Sequence, residues 1–418
     1  MARSSAKRPS RVGPATSPAR PAGALDVDAL LDDPTTGIIV CCGSGGVGKT
    51  TTSAALALRA AERGRRVVVL TIDPARRLAQ SMGIGELDNT PRPVSGVEGE
   101  GHLDAMMLDM KRTFDEVVVS QASPEKAKQI LANPFYIALS SSFAGTQEYM
   151  AMEKLGQLYR DHVVGGGSRS GSNAASYDLI VVDTPPSRSA LDFLDAPERL
   201  SSFLDGRFVR LMLAPAKGPA RLMTAGFSII TNALTRILGA QFLKDLQTFV
   251  SALDTVFGGF RQRAQKTYSL LQADGTAFLV VAAPEPDAIR EAEYFVERLS
   301  EDGMPLAGLV VNRASPEPAG ALSAEEAMAG AERLRTAKHA GSDGSDGSDA
   351  RHEPDSLTAG LLRLHADRVR MVQRERMLRD RFATAHPQVP AAVVPALAGD
   401  VHDLDGLRRI GSLLAPEG

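Results

Sequence analysis

The sequence predicts an α/β fold, a doubly wound and mostly parallel sheet interrupted by an inserted α-helical subdomain. Two observations carry that reading and a third locates the ligand edge. Seven short apolar runs punctuate the chain: IIVCC (38–42), VVVLTI (67–72), LDAMML (103–108), LIVVD (179–183), AFLVVAA (277–283), LAGLVV (306–311) and AAVVPAL (391–397). Their hydrophobicity is continuous rather than alternating, as in strands buried on both faces by covering helices. Long stretches of helical periodicity separate them, as crossovers between parallel strands require. The first run leads into a Gly-rich loop and an Ala/Leu-rich helix, and in such sheets ligands sit at the carboxyl ends of the strands.

Each segment between the runs has its own reading. Two blocks, about 111–162 and 190–272, carry helical periodicity and no strand signal, and form the predicted helical subdomain. In the second, Met223, Phe227, Ile230, Leu234, Ile237 or Leu238, and Phe242 make one apolar stripe at three- and four-residue steps. Arg236 is the only charge from Leu222 to Leu243, so the stripe fits a buried core or dimer contact, or a groove for an apolar client helix. Residues 357–382 are dense in Arg interleaved with Leu361, Leu364, Val369, Val372 and Met377. They read as a solvated amphipathic helix packed on the sheet, with an acidic partner or a membrane surface as the lesser alternative. Residues 1–24 read as a disordered basic tail and 165–176 as a Gly/Ser insert. Residues 339–356, with GSD three times, read as a disordered insert, and 25–418 otherwise as one domain.

Composition excludes several classes. Lys and Arg number 47 against 50 Asp and Glu, a formal net charge of −3, so no nucleic-acid partner is expected. No run approaches the ~18–20 apolar residues of a membrane span, and the N-terminus lacks the apolar core of a secretory signal. The two cysteines, Cys41 and Cys42, are adjacent in a strand and point to opposite faces. No protein-bound zinc is therefore expected, and a cytoplasmic location fits, with peripheral membrane association left open.

The strongest signal is the run Gly43, Ser44, Gly45, Gly46, Val47, Gly48, Lys49, Thr50 and Thr51 after the first strand, which matches G-x-x-x-x-G-K-[ST]. Glycines let backbone N–H groups converge on phosphate oxygens, and the helix N-terminus adds its positive dipole end. Lys49 is placed to reach the β- and γ-phosphates and Thr50 to bind Mg²⁺. The fold class is then a P-loop NTPase. The second run ends at Asp73, at the carboxyl edge, where a carboxylate can orient or deprotonate the attacking water. LIVVD ends in Asp183, positioned to hold Mg²⁺ through water, and Thr184–Arg188 follow as a candidate γ-phosphate sensor.

Four segments together resemble the ArsA-type ATPases: Gly45–Thr51, Asp73-Pro74-Ala75, Asp183-Thr184, and Val310-Val311-Asn312-Arg313. That family holds the arsenite-pump ATPase and the eukaryotic factor that targets tail-anchored membrane proteins. LDAMMLDMKRTFDEVV resembles the family's strand before its helical subdomain, and VPALAGDVHDLDGLRRIG its adenine loop. The resemblance implies ATP and Mg²⁺ as cofactors, Asp73 acting on water, and Asp183 opening the second switch. It also implies Asn312 on adenine, with Pro395, Leu397, Asp400 and Val401 covering the base. A dimer opening and closing with nucleotide would then drive a helical surface for an apolar client helix or a membrane protein.

The chain departs from the family pattern in three ways. Ser44 stands where the family carries a second loop lysine that clamps the partner's phosphates. Thiolates for arsenite are missing, and so is the CxxC pair that staples the targeting factor's dimer with zinc. Two arrangements follow: a homodimer, or a heterodimer with a lysine-bearing paralogous ATPase in which this chain is the weakly active, regulatory subunit.

Overall fold

The computed structural model describes residues 23–73, 77–134, 136–137, 140, 146–160, 177–185, 260–318, 320, 322–340 and 349–415. The apolar stripe at 223–242, the insert at 165–176, residues 186–188 and residues 1–22 lie outside these. In chain order the described elements are α1 (Val27–Asp32), β1 (Ile38–Cys42), α2 (Lys49–Glu62), β2 (Arg66–Thr71), α3 (Arg77–Ser81), β3 (Arg92–Pro93) and β4 (His102–Met107). Next come α4 (Met110–Gln121), α5 (Pro124–Leu131), α6 (Thr146–Leu158), β5 (Leu179–Asp183), α7 (Phe260–Leu271), β6 (Thr276–Ala282) and α8 (Pro286–Glu301). The chain closes with β7 (Leu306–Ala314), α9 (Ala324–Ala340), α10 (Asp349–Ala385), β8 (Ala391–Pro395) and α11 (Leu404–Leu414).

The strands form one sheet in the order β3-β4-β2-β5-β1-β6-β7-β8. Every pairing is parallel except β3 with β4. Each predicted run overlaps one of the long strands, and β3 is an unpredicted two-residue edge. Side chains alternate between two cores. Ile38, Val40 and Cys42 face Phe114, Phe278 and Phe295, whereas Ile39 and Cys41 face the alanines and leucines of α2. Buried small residues along α2 let it lie close to the sheet, with α11 packed behind it at Gly411.

Two expected boundaries shift. Residues 349–356, read as the end of a disordered insert, are the first turns of α10. A helix already nucleated downstream extends at little cost per residue, which outweighs the weak composition of that stretch. Ala24, assigned to the tail, bridges Ala391 of β8. The Arg-rich helix also packs differently from expectation. Only its C-terminal part, around Leu378 and Phe382, joins the sheet core. Its first part pairs with α9 through Ala324, Ala327 and Ala366, a separate small cluster.

Arg65 fastens the amino edge of this sheet. Its guanidinium donates to the carbonyls of Leu31 (3.0 Å), Asp33 (3.3 Å), Thr36 (2.7 Å) and Asp178 (2.6 Å), joining α1, the turn into β1 and the entry to β5. Arg65→Met strands these acceptors and is expected to cost about 2–4 kcal/mol in urea unfolding. Arg92→Met, which removes a half-exposed pair with Asp88, should stay within about 0.5 kcal/mol.

Candidate functional site

The loop between β1 and α2 is shaped by two glycines that no other residue can replace. Gly43 has φ 148°, and a Cβ there would lie 2.1 Å from the Val281 carbonyl oxygen. Gly48, the N-cap of α2 with φ 94°, would place a Cβ 2.2 Å from Asn312 Nδ2. The loop is thus wedged between β6 and the end of β7. Side chains hold three of its carbonyls. Lys49 Nζ donates to Ser44 O (2.8 Å), Asn312 Nδ2 to Val47 O (2.8 Å) and Arg313 Nη1 to Gly46 O (2.9 Å). Arg313 reaches the loop from a left-handed backbone, φ 59°. No side chain caps the N-terminus of α2, so its first-turn N–H groups are available to an anion.

Behind the loop lies Asp183, fully buried at the end of the central strand β5. Its Oδ2 accepts from Thr50 Oγ1 (2.8 Å) and Thr71 Oγ1 (2.9 Å). Its Oδ1 is buried with no hydrogen-bond partner among the described residues. Burial pushes the Asp183 carboxyl up to about 6, while the Thr50 and Thr71 hydroxyls and the Lys49 charge oppose it. Lys49 shifts down, chiefly through desolvation, with Asp183 opposing. A hard cation fits this donor set: a carboxylate oxygen lacking a partner, a threonine hydroxyl against its twin, and a buried position that favours compensating positive charge. Thr50 and Asp183 are the residues that would hold Mg²⁺.

In front of the loop opens a cleft of about 730 Å³. Gly46, Gly48, Lys49, Thr50, Thr51 and Asp73 are among its lining residues. Asn312, Pro395, Leu397, Asp400 and Val401 line the same cleft, so the fold brings together residues far apart in sequence. Gly43 and Val47 are buried behind the loop, Gly45 is exposed on its outer turn, and the Ser44 side chain does not line the cleft. The sequence assigns no role in the site to Thr71, Arg77, Gln80, Arg313 or His402, although Arg313 and His402 lie in segments that carry the resemblance. Thr71 sits two residues before Asp73 and Arg313 directly follows Asn312, but neither position announces the bond of Thr71 to Asp183 or of Arg313 to the loop. Asn312, expected on adenine, donates in this structure to the loop carbonyl of Val47.

The cysteines sit apart from this chemistry. Cys41 and Cys42 are fully buried, and burial pushes the Cys41 thiol up to about 12. Among the described residues no cluster of three His, Cys, Asp or Glu could hold a metal. No described helix is long and apolar enough to cross a membrane.

A Gly-rich loop opening an uncapped helix, a lysine at its head and a threonine against a strand-end carboxylate define a P-loop nucleotide-binding protein. Within that class the chain belongs to the ArsA ATPase family, described as anion-transporting ATPases, whose pattern matches residues 36–329. It is 27% identical over 271 residues to an ATPase ASNA1 homolog of Cryptosporidium parvum, covering 65% of this chain and 63% of the relative. It is 24% identical over 306 residues to an ATPase GET3 of Malassezia globosa, covering 70% and 76%. A putative arsenical pump-driving ATPase of Aquifex aeolicus is 23% identical over 289 residues, covering 67% and 64%. The chain thus spans less than two thirds of the first and third of these relatives.

The Asp183 carboxyl has a pH signature. Its native value, about 6, lies above the ordinary 3.8, so the native state holds this proton more tightly. The resulting contribution to stability is full below about pH 4 and is lost as pH rises through 6. Asp183→Asn should therefore stabilise the protein at pH 8 in EDTA by on the order of 1–3 kcal/mol and change little at pH 4. Urea unfolding at both values checks this, and the same variant should lose any Mg²⁺-dependent gain in nucleotide affinity.

Proposed function

We propose that this chain binds and hydrolyses ATP with Mg²⁺, and that nucleotide-driven opening and closing of a dimer controls a helical partner surface. The observation that carries the reading is the cluster at the head of α2, where Lys49, the Thr50 hydroxyl and the buried Asp183 carboxylate meet. The ATPase names of the relatives agree with it. Thr50 and Asp183 would hold Mg²⁺, which would supply positive charge to offset the negative charge of the phosphates.

The protein's part is positioning and electrostatics. Lys49 leaves the Ser44 carbonyl, a neutral acceptor, for charged phosphate oxygens, an exchange that favours the bound state. Loop N–H groups and the α2 terminus hold the phosphates. Asp73, on the cleft wall, orients the attacking water and takes its proton. Asn312 and the 395–401 loop hold and cover the base. The product surface serves an apolar client helix or a membrane protein, from a cytoplasmic position that allows peripheral membrane contact.

Ser44 favours a second reading, a weakly active regulatory subunit paired with a lysine-bearing paralogue. Its hydroxymethyl group cannot supply a cation to developing phosphate charge, as a lysine could. Steady-state hydrolysis separates the two readings. Lys49→Ala should lower turnover at least about 100-fold, and Ser44→Lys should raise it about 10-fold. Tight nucleotide binding by the wild-type chain with turnover no higher than Lys49→Ala overturns the self-sufficient ATPase in favour of the regulatory subunit. An unchanged rate in Ser44→Lys removes the argument from the missing lysine.

A further inference from the structure

One buried hydroxyl joins the two carboxylates of the site. Thr71 ends β2, is buried, and is the register partner of Asp183 in the parallel pair β2–β5. Two residues earlier, Val69 and Val181 share the core beneath α2, so by alternation Thr71 and Asp183 present their side chains to that face. The Thr71 hydroxyl donates to Asp183 Oδ2 (2.9 Å) and accepts from Asp73 N (3.2 Å). It has one proton to give. The carbonyl of Asp73, at 3.4 Å, is the weaker claimant, because a carboxylate attracts that proton more strongly than a neutral oxygen does. Donation to the carboxylate also polarises the hydroxyl and makes it a better acceptor. The bonds thus run in one direction, from Asp73 N–H through Thr71 to Asp183.

Thr71 itself is fixed by the sheet. Its carbonyl accepts from Leu108 N (2.9 Å), and Ile72 N donates to Asp183 O (3.0 Å). Beyond Ile72 the chain has left β2, and Pro74 has no N–H. The Asp73 amide is therefore the one backbone donor between Ile72 and Ala75, and the Thr71 hydroxyl accepts it. A cavity of about 80 Å³ adjoins Thr71 and is lined also by Leu78 and Ala79 of α3, so side-chain packing leaves this corner incompletely filled. The hydrogen bond carries part of the orientation that close packing supplies elsewhere.

We propose that Thr71 is a positioning residue, whose hydroxyl sets the Ile72–Asp73 peptide plane and so aims the Asp73 carboxyl at the attacking water. The inference rests on the hydrolytic reading above, in which Asp73 takes the water's proton and Thr50 and Asp183 would hold Mg²⁺. A side chain leaves the backbone in a direction set by the peptide planes on either side of it. Proton abstraction needs the base within about 2.6–3.2 Å of the water. A misplacement of about 1 Å is enough to slow such chemistry about 100-fold. Thr71 does not line the nucleotide cleft, so its effect falls on turnover rather than on binding.

Two variants of the full chain test the role: Thr71→Val, which keeps the shape and removes the hydroxyl, and Thr71→Ser, which keeps the hydroxyl. In metal-free, nucleotide-free protein, amide exchange at Asp73 should be at least about 10-fold faster in Thr71→Val and within about 3-fold of wild type in Thr71→Ser. In steady-state hydrolysis, Thr71→Val should lower kcat at least about 10-fold with KM for ATP within about 3-fold, and Thr71→Ser should restore most of the rate. Thr71→Ala removes the same hydroxyl with less bulk and repeats both comparisons where Thr71→Val does not fold. Unchanged exchange in Thr71→Val, equal losses in the valine and serine variants, or a loss in KM rather than kcat overturns the positioning role. A wild-type rate no higher than that of Lys49→Ala overturns the hydrolytic reading and the inference with it. A wild-type rate that Thr71→Val preserves overturns the inference alone.

Discussion

The architecture of the site depends on a carboxylate that has been taken out of water. Asp183 ends the central strand, and its Oδ2 gathers hydroxyls from Thr71 at the end of the neighbouring strand and Thr50 in the first turn of α2. Burying a charge is costly unless it is compensated. Two threonine hydroxyls and the nearby Lys49 compensate it only in part, so burial still pushes the carboxyl up to about 6. A cation beside Asp183 Oδ1 would complete that compensation. The same contacts tie β2, β5 and α2 together at the edge where phosphates would arrive, so binding and the integrity of that edge share one residue.

The loop is organised around the same economy of polar groups. Its carbonyls are engaged from three directions: by its own Lys49, by Asn312 and by Arg313. Engaged carbonyls help fix the peptide planes, and fixed planes preserve the direction of the N–H groups. Asn312 and Arg313 come from β7 on the far side of β6, so the phosphate loop is held between two strands rather than by its own residues alone.

Much of this was legible in the chain because the relevant forces are local or periodic. The long strands announced themselves as unbroken apolar runs, since both faces of the sheet are covered. The phosphate loop was legible because its chemistry is written in contiguous residues. Arg92–Pro93 was not, because a two-residue exposed edge buries nothing and leaves no pattern. The turns at 349–356 were missed because composition registers local weakness and not the helix that recruits it. Within the site, the contacts of Thr71 and Arg313 are not legible for a topological reason. Their roles arise from strand order, which places β2 beside β5 and β7 beyond β6, and no spacing along the chain encodes that adjacency.

The pairing of α9 with α10 described above has a mechanical consequence. Glu375 of α10 accepts from Ser315 N (2.8 Å) and Oγ (2.7 Å), two residues beyond the Arg313 that holds the phosphate loop, so the base of the α9–α10 hairpin and the loop hang from neighbouring residues at and just past the end of β7. A stiff rod pivoting at such a point acts as a lever. With about 39 Å of helix from Asp349 to this pivot, at about 1.5 Å per residue, a tilt of roughly 5° moves the tip by about 3 Å. A displacement too small to disturb the core at the fulcrum therefore becomes, at the far end, comparable to the width of a side chain.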